Sequence, residues 1–423
     1  MKFSKSSQLL LVSAIGLLVA TLLTSCEITT IDFVFVASSA GSGSGSAGQI
    51  QTYDADSKSG ALRFGQPAVP SGGTAPVALA ITSDYQNLYV ANQGNPNVIP
   101  AVIPTLVHFA IAGNGVLTQA DSITASSVPV ALAVNSAGTY LYVLSGPNPT
   151  VLTAYSLTNG TIGSQASQQT LSLAGVSDTY ANDVLIPTGI TVLVNNSAIT
   201  GNAVFVTAYD QSAYNPGGTT TSTANPGWVF GFTIGSGGVL SPSTTGTPPV
   251  VDSPWEAGVK PTAIASTPTD QYVYVTDFAS NEMIGYSVRD GVNLEFLING
   301  PFRTGNEPQA VVIDPRGKYI YVANSLSNTV SSYVIDLATG TPSAVASNSS
   351  STDTQPVAIT VDASIGRFVF TANKLGNSVS GFTLNPDSGV LTTDQASPYP
   401  SGAKPSAVIT VPAGSHEVES ISP

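Results

Sequence analysis

The sequence predicts an all-β fold: a seven-bladed β-propeller of four-stranded antiparallel blades, its ring closed by a blade shared between the N- and C-termini. Three observations predict it. First, a phrase of proline, any residue, a small residue and a branched aliphatic recurs at Pro76, Pro129, Pro187, Pro261, Pro308, Pro356 and Pro405. Its intervals of 53, 58, 74, 47, 48 and 49 residues mark a repeat near 50, each copy a supersecondary unit that needs its neighbours to cover its apolar faces. Second, each of the first six phrases is followed by an alternating aromatic and β-branched run, the signature of a half-buried strand. Third, the two ends of the chain supply complementary parts of one blade.

The elements follow in order. Lys2 and Lys5 precede an apolar run, Leu9 to Leu23, which ends in Leu23-Thr24-Ser25-Cys26. That is the layout of a secretory signal peptide, and the run falls short of the about 20 apolar residues a membrane-spanning helix needs. Residues 1–25 are read as signal peptide and 26–30 as a short anchor linker, followed by the propeller over 31–412 and a tail over 413–423. Within each repeat the proline phrase opens a first strand, such as V-A-L-A-I-T, and a polar turn follows, such as Asp314-Pro315-Arg316-Gly317. The second strand comes next: L-Y-V-A-N at 88–92, L-Y-V-L-S at 141–145, V-F-V-T-A at 204–208, V-Y-V-T-D at 273–277, I-Y-V-A-N at 320–324 and V-F-T-A-N at 369–373. A third strand carries Phe109, Tyr155, Phe232, Tyr286, Tyr333 or Phe382, and a glycine-bearing turn leads to the fourth. Four antiparallel strands make one propeller blade. At the N-terminus Val34–Ser38 is a second strand and Ile50–Tyr53 a third, with no first strand before them. P-S-A-V-I-T-V at 405–411 is a first strand with only a tail after it. Joined, they complete a seventh blade and remove an exposed edge. Gly41 to Gly48 then reads as the loop between second and third strands of that blade.

Bulk properties narrow the function. The chain has 423 residues and one cysteine, which excludes an internal disulfide. Without the leader it keeps 10 basic and 25 acidic residues, a formal charge of −15, against nucleic acid and anionic lipid surfaces as partners. Only 9% of the residues are charged and 42% are hydrophobic, which suits turn-rich β-structure and not disorder.

Two resemblances rest on residues just quoted. L-T-S-C resembles the bacterial lipobox, which implies cleavage before Cys26, acylation of Cys26 and an exported lipoprotein held to a membrane of the cell envelope. K-Y-I-Y-V-A-N-S-L-S-N-T-V-S-S-Y-V-I-D-L-A-T-G at 318–340 resembles the YVTN repeat of bacterial surface propellers. The whole pattern, split blade included, resembles the seven-bladed lactonase family, whose enzymatic members hydrolyse 6-phosphogluconolactone. Fold follows from such a resemblance more securely than chemistry, because one fold hosts many functions.

In a four-stranded blade the loops between second and third strands share a face with the blade-to-blade crossovers. The insertions fall on that crossover face: 93–105, 210–227, 174–186 and 241–260, the turns of the other face being short. Loops longer than connection requires are usually functional, so ligand binding is expected there. Tyr209, Tyr214, Trp228 and Trp255 offer flat apolar surfaces, with Asp210 and Glu256 as polar handles, a combination suited to a glycan or peptide. Packing of both tryptophans between blades at the loop roots is the competing reading.

Chemistry is sparse. Enzymatic relatives carry His and Arg just after the blade-opening positions; here those slots hold Thr188-Gly189, Thr262-Ala263 and Gln309-Ala310, none of them a base or an arginine. His108 stands alone against Thr52, Ala154, Gly231, Gly285, Ser332 and Gly381 in the same slot and reads as packed or edge-exposed; His416 lies in the tail. No His/Cys zinc cluster, calcium loop, nucleophile elbow or phosphate loop is present, so no metal or cofactor is expected. Asn92, Asn324, Asn373 and Asp277 recur at strand ends and read as turn-capping side chains; Asp54 and Asp56 read as a structural turn. The expectation is a lipid-anchored binding or scaffold module for a protein, peptide or glycan. The alternatives are a lactonase-family enzyme acting on a sugar lactone, or a component of an envelope assembly or export complex.

Overall fold

The computed structural model describes residues 29–39, 41, 46–97, 99–173, 184–193, 202–211, 227–245, 250–251, 253–290 and 292–414. Among the described residues, seven antiparallel sheets of four main strands form the blades, and Thr244–Thr245 pairs with Val250–Val251 in a separate two-stranded ladder. Blade 1 comprises Pro76–Ile81, Asn87–Asn92, Thr105–Ile111 and Leu117–Thr124; blade 2 comprises Pro129–Val134, Tyr140–Ser145, Val151–Thr158 and Thr161–Thr170. Leu185–Val192, Ala203–Asp210, Gly227–Ile234 and Leu240–Pro242 form blade 3, and Pro261–Ser266, Tyr272–Asp277, Glu282–Arg289 and Asn293–Phe296 form blade 4. Blade 5 is Pro308–Ile313, Tyr319–Asn324, Thr329–Ile335 and Pro342–Ser351; blade 6 is Pro356–Val361, Phe368–Asn373, Ser378–Leu384 and Leu391–Thr393. Blade 7 takes its inner strand from the C-terminus, Ala403–Pro412, and its other three from the N-terminus, Thr30–Ser39, Ala47–Asp56 and Leu62–Thr74. The closing ladder pairs Asp32 with Pro412, Val34 with Thr410 and Val36 with Val408. Each inner strand packs on the next, and the last returns to the first.

The proline phrase has a physical explanation. In blades 1 to 6 the register slips one residue after the proline, for example between Pro76 and Ala78 and between Pro308 and Ala310. Proline has no N–H to give a ladder, so it opens the strand at a bulge. The small residue after the bulge sits where inner strands approach closely. A Cβ on Gly189 would lie 3.2 Å from the Ala263 Cα of the next blade.

Between blades the packing is apolar, with a polar pin. Tyr89, Tyr142, Tyr274 and Tyr321 are wholly buried in second strands. The Tyr89, Tyr274 and Tyr321 hydroxyls donate to the carbonyls of Gly160, Gly340 and Gly389, at 2.7, 2.6 and 3.1 Å. Each glycine belongs to the third-to-fourth-strand turn of the next blade and has a positive φ, a conformation glycine adopts without a Cβ penalty. Blade 3 replaces that turn with a short 3-10 segment, Ser236–Gly238, and the Tyr142 hydroxyl has no hydrogen-bond partner among the described residues.

One expectation is corrected. Residues 253–257 are not crossover loop. Trp255–Glu256 returns to pair with Trp228 and Val229 of the third strand of blade 3. Phe302–Arg303 in blade 4 and Tyr399–Pro400 in blade 6 do the same. The outer strand in these blades is therefore interrupted by a bulged stretch and resumes with a buried or half-buried aromatic. Among the described residues no helix is long and apolar enough to cross a membrane.

Candidate functional site

The recurring strand-end residues close the second strands at the crossover face. Asn92, Asp277, Asn324 and Asn373 are all completely buried. The Asp277 carboxylate accepts from the Val259 and Lys260 N–H groups at 2.7 and 2.9 Å, from the Ala279 N–H at 3.1 Å and from the Ser280 hydroxyl at 2.8 Å. Asn324 accepts from the Gly305 N–H and donates to Thr329 and Ser331. These side chains tie the loop after the second strand to the incoming crossover, as turn caps.

The residue before each blade-opening proline stands at the entrance to an inner strand. Around the ring these are Ala75, Val128, Ile186, Lys260, Glu307, Gln355 and Lys404, so blades 1 to 3 present apolar groups and blades 4 to 7 polar or charged ones. Glu307, Gln355 and Lys404 have φ of 53°, 60° and 51°, a left-handed backbone uncommon for residues with side chains. Each is held there by an asparagine of the preceding blade. Asn281, Asn328 and Asn377 accept the N–H of Glu307, Gln355 and Lys404 at 2.7, 2.8 and 2.8 Å. The Glu307 carbonyl accepts from the Ser325 N–H and hydroxyl, and its carboxylate lies 3.4 Å from the same hydroxyl. Strained residues held by their surroundings cluster at functional sites.

Lys260 faces this group. Its ammonium lies 4.2 Å from the centroid of Phe278 and 5.7 Å from that of Tyr209, within cation–π range. Burial lowers its pKa from the ordinary lysine value, and the Glu307 carboxylate opposes that shift. A half-buried ammonium beside a carboxylate and two rings suits a ligand with polar oxygens on a flat or cyclic body.

The slots after the prolines are spent on the frame. Thr188 shares a hydrogen bond with Thr207 at 2.8 Å, and Thr262 donates to the Pro308 carbonyl of the next blade at 2.7 Å. Ser406 donates to the Pro76 carbonyl at 2.6 Å. Gln309 is half-buried and has no hydrogen-bond partner among the described residues.

The proposed ligand residues separate. Tyr209 is half-buried and belongs to the Lys260 cluster, and Asp210 is 1% exposed, two residues beyond Ala208, which pairs with Pro187 in the strand-end slot of blade 3. Trp228 is 5% exposed in the core between blades 2 and 3, and Trp255 packs edge-on to Phe205 at 6.1 Å. The Trp228 indole is packed away from solvent, which corrects the expectation for it, while Trp255 is half-buried; both stand where the third strand and the resumed outer strand pair. Glu256 is exposed on that outer strand, away from the inner ring, and its carbonyl accepts the Tyr286 hydroxyl. Tyr214, Cys26, His416 and most of the insertions 174–186 and 210–227 lie outside the described residues. His108 is 3% exposed, stacked on Tyr89, with its ring nitrogens 2.5 Å from Asp121 Oδ1 and 2.9 Å from Asn87 Oδ1. Asp56 accepts the Lys58 and Ser59 N–H groups in a turn. Lys260 and Glu307 stand one position before the blade-opening prolines, outside the repeated phrase, so the repeat itself does not mark them.

Residues 238–359 and 266–409 match the family model described as lactonase, seven-bladed beta-propeller. No curated protein matches the chain. Among solved structures, the periplasmic gluconolactonase of Pseudomonas aeruginosa is 16% identical, with a TM-score of 0.67 over 91% of this chain and 100% of that one. A putative 6-phosphogluconolactonase from Bacteroides uniformis is 17% identical, with a TM-score of 0.65 over 90% of this chain and 100% of that one. A second from Bacteroides fragilis gives 17% and 0.64 over 90% and 98%. At these identities the likeness is one of fold. Blade count and ring closure identify the chain as a seven-bladed β-propeller, whose residues 238–409 are similar to the lactonase propeller family.

Proposed function

We propose that this chain hydrolyses a lactone at the crossover-face mouth of its channel. The observation that carries the reading is the half-buried Lys260 beside Glu307, the latter held in a left-handed backbone by Asn281 and Ser325. The lactonase family pattern and the gluconolactonase folds support it. Glu307 takes a proton from water as the water oxygen bonds to the ring carbonyl carbon, and Lys260 stabilises the negative charge that develops on the carbonyl oxygen. Collapse breaks the ring C–O bond, and Glu307 returns its proton to the leaving alkoxide, giving an open-chain hydroxy acid. The protein acts outside the cytoplasm, anchored through an acylated Cys26.

A second reading, a binding module for a protein, peptide or glycan at the same face, is favoured by the consumption of the Thr188, Thr262 and Ser406 hydroxyls within the frame. Acid release from a panel of sugar lactones, followed in a pH-stat with purified protein, separates the two. Saturable turnover that falls at least a hundredfold in Glu307→Gln supports hydrolysis. No turnover on any lactone rejects it in favour of binding.

A further inference from the structure

Two carboxyl groups that lactone hydrolysis leaves unused are buried at one place, the seam where the N-terminal strands dock against blade 6. Asp32, in Thr30–Ser39 of blade 7, is completely buried, and Asp394, at the break in the outer strand of blade 6, is 5% exposed. The Oδ2 atoms of these two residues are the only buried carboxylate oxygens without a hydrogen-bond partner among the described residues. Equally buried aspartates elsewhere are well supplied: Asp362 accepts four backbone N–H groups, from Ile365, Gly366, Arg367 and Phe368, and Asp314 accepts from Lys318, Tyr319 and Arg316.

The surroundings give neither seam carboxyl a cation. Asp32 Oδ1 accepts from the Ser364 hydroxyl at 2.7 Å, and the Asp362 carboxylate stands beside it with its own donors already assigned. From blade 1 the Tyr85 phenol faces Asp32. Arg316 reaches blade 6 but donates to the Ile365 and Gly366 carbonyls, and Arg367 is exposed. Asp394 Oδ1 accepts from Thr383 at 2.7 Å, while Oδ2 points at the seam, where a Cβ on Gly60 of blade 7 or on Gly381 would lie 2.8 Å from it. Among the described residues the titratable group acting on it is the Tyr399 phenol; Asp54 and Asp56 of blade 7 each interact with Arg63, and Lys58 sits in the Asp56 turn. An ionised carboxylate buried without a donor is costly, and two facing carboxyls cannot both ionise cheaply.

We propose that this seam is a proton-operated latch: the N-terminal strands hold against blade 6 while Asp32 and Asp394 are protonated and loosen as both ionise. The same seam carries its neutral fastenings close by, with Ser364 donating to the Ile31 carbonyl, Thr410 to Val361 and Tyr53 to Pro400. Burial pushes Asp394 up to about 6, and burial with Asp362 opposite holds Asp32 well above the usual carboxylate range. Both native values lie above the unfolded ones. The stabilisation is therefore complete below about pH 4 and is lost as pH rises, through about 6 for Asp394 and above the ordinary carboxylate range for Asp32.

Amide hydrogen exchange of the full chain reads the latch directly. After correction for intrinsic rates, exchange in Thr30–Ser39 rises between pH 4 and 7 by up to about a hundredfold, the factor set by moving one carboxyl from 3.8 to about 6. Asp394→Asn removes the part of that rise centred near pH 6, and Asp32→Asn removes the part that remains. Asp387→Asn, at an exposed turn, keeps the parental profile. Corrected exchange in the parent that does not change with pH overturns the proposal, as does the same slope in both seam variants as in the parent.

Discussion

Replacing Asp277 by asparagine tests whether a strand-end slot is matched to its own blade. Blades 1, 5 and 6 carry asparagine there, and each amide finds a hydroxyl at the start of the third strand: Thr105, Thr329 with Ser331, and Ser378 with Ser380. In blade 4 the matching positions are Glu282 and Ile284, which offer no hydroxyl. An acceptor-only carboxylate suits this blade, where it takes three backbone N–H groups and the Ser280 hydroxyl. In Asp277→Asn one oxygen is replaced by an NH2 group that meets donors. At about 1–3 kcal/mol for each buried donor left unpaired, and at least two affected, the loss is about 4 kcal/mol. With unfolding entropy near 2.1 cal/mol/K per residue over 423 residues, Tm falls by about 4–5 °C. The same change loosens the Lys260 backbone, so lactone turnover drops with it. Calorimetry and urea titration supply the numbers. Adding Glu282→Thr and Ile284→Ser gives the new amide its hydroxyls and recovers at least half of the loss. A single variant as stable as the parent, or a triple variant no better than the single, refutes the matching argument.

Other expectations are shorter. Tyr274→Phe orphans the Gly340 carbonyl and costs about 1–2 kcal/mol, whereas Tyr142→Phe removes a hydroxyl that has no partner and is neutral or slightly stabilising; equal losses in urea titrations would contradict the pin. Lys260→Met keeps the stem over Phe278 but removes the charge, so kcat on a lactone falls more than KM rises, and a pure KM effect would assign Lys260 to ground-state binding. Cys26→Ser moves the protein from the membrane to the soluble fraction, and unchanged partition would remove the anchor.

The blades were legible because their cause is local. A proline, a bulge and a small residue recur wherever inner strands crowd, so seven phrases count seven blades, and the two incomplete ends imply the shared one. The strand-end Asn and Asp were legible as caps for the same reason. The interrupted outer strands were not. Trp255–Glu256, Phe302–Arg303 and Tyr399–Pro400 are two-residue segments that pair across a bulge, and nothing within so short a run distinguishes it from loop. That ambiguity also misplaced the tryptophans, since an aromatic at the root of a long loop looks exposed until its strand partner is known. The buried seam carboxyls were invisible for a related reason: whether an aspartate has a donor depends on a neighbouring blade far away in sequence.

The charged half of the mouth and the matched family pattern share a physical cause. Asn281, Asn328 and Asn377 lie in the four-residue loops of blades 4 to 6, each long enough to turn and short enough to place the asparagine under the next proline phrase. Blades 1 and 3 spend that position on insertions, and their successors carry Val128 and Lys260 before the proline with no such asparagine behind them. A pinned left-handed residue projects its side chain in one fixed direction, so a charge placed there is oriented without needing a long ordered loop. The short, regular blades, which look least specialised, therefore hold Glu307, Gln355 and Lys404 in position.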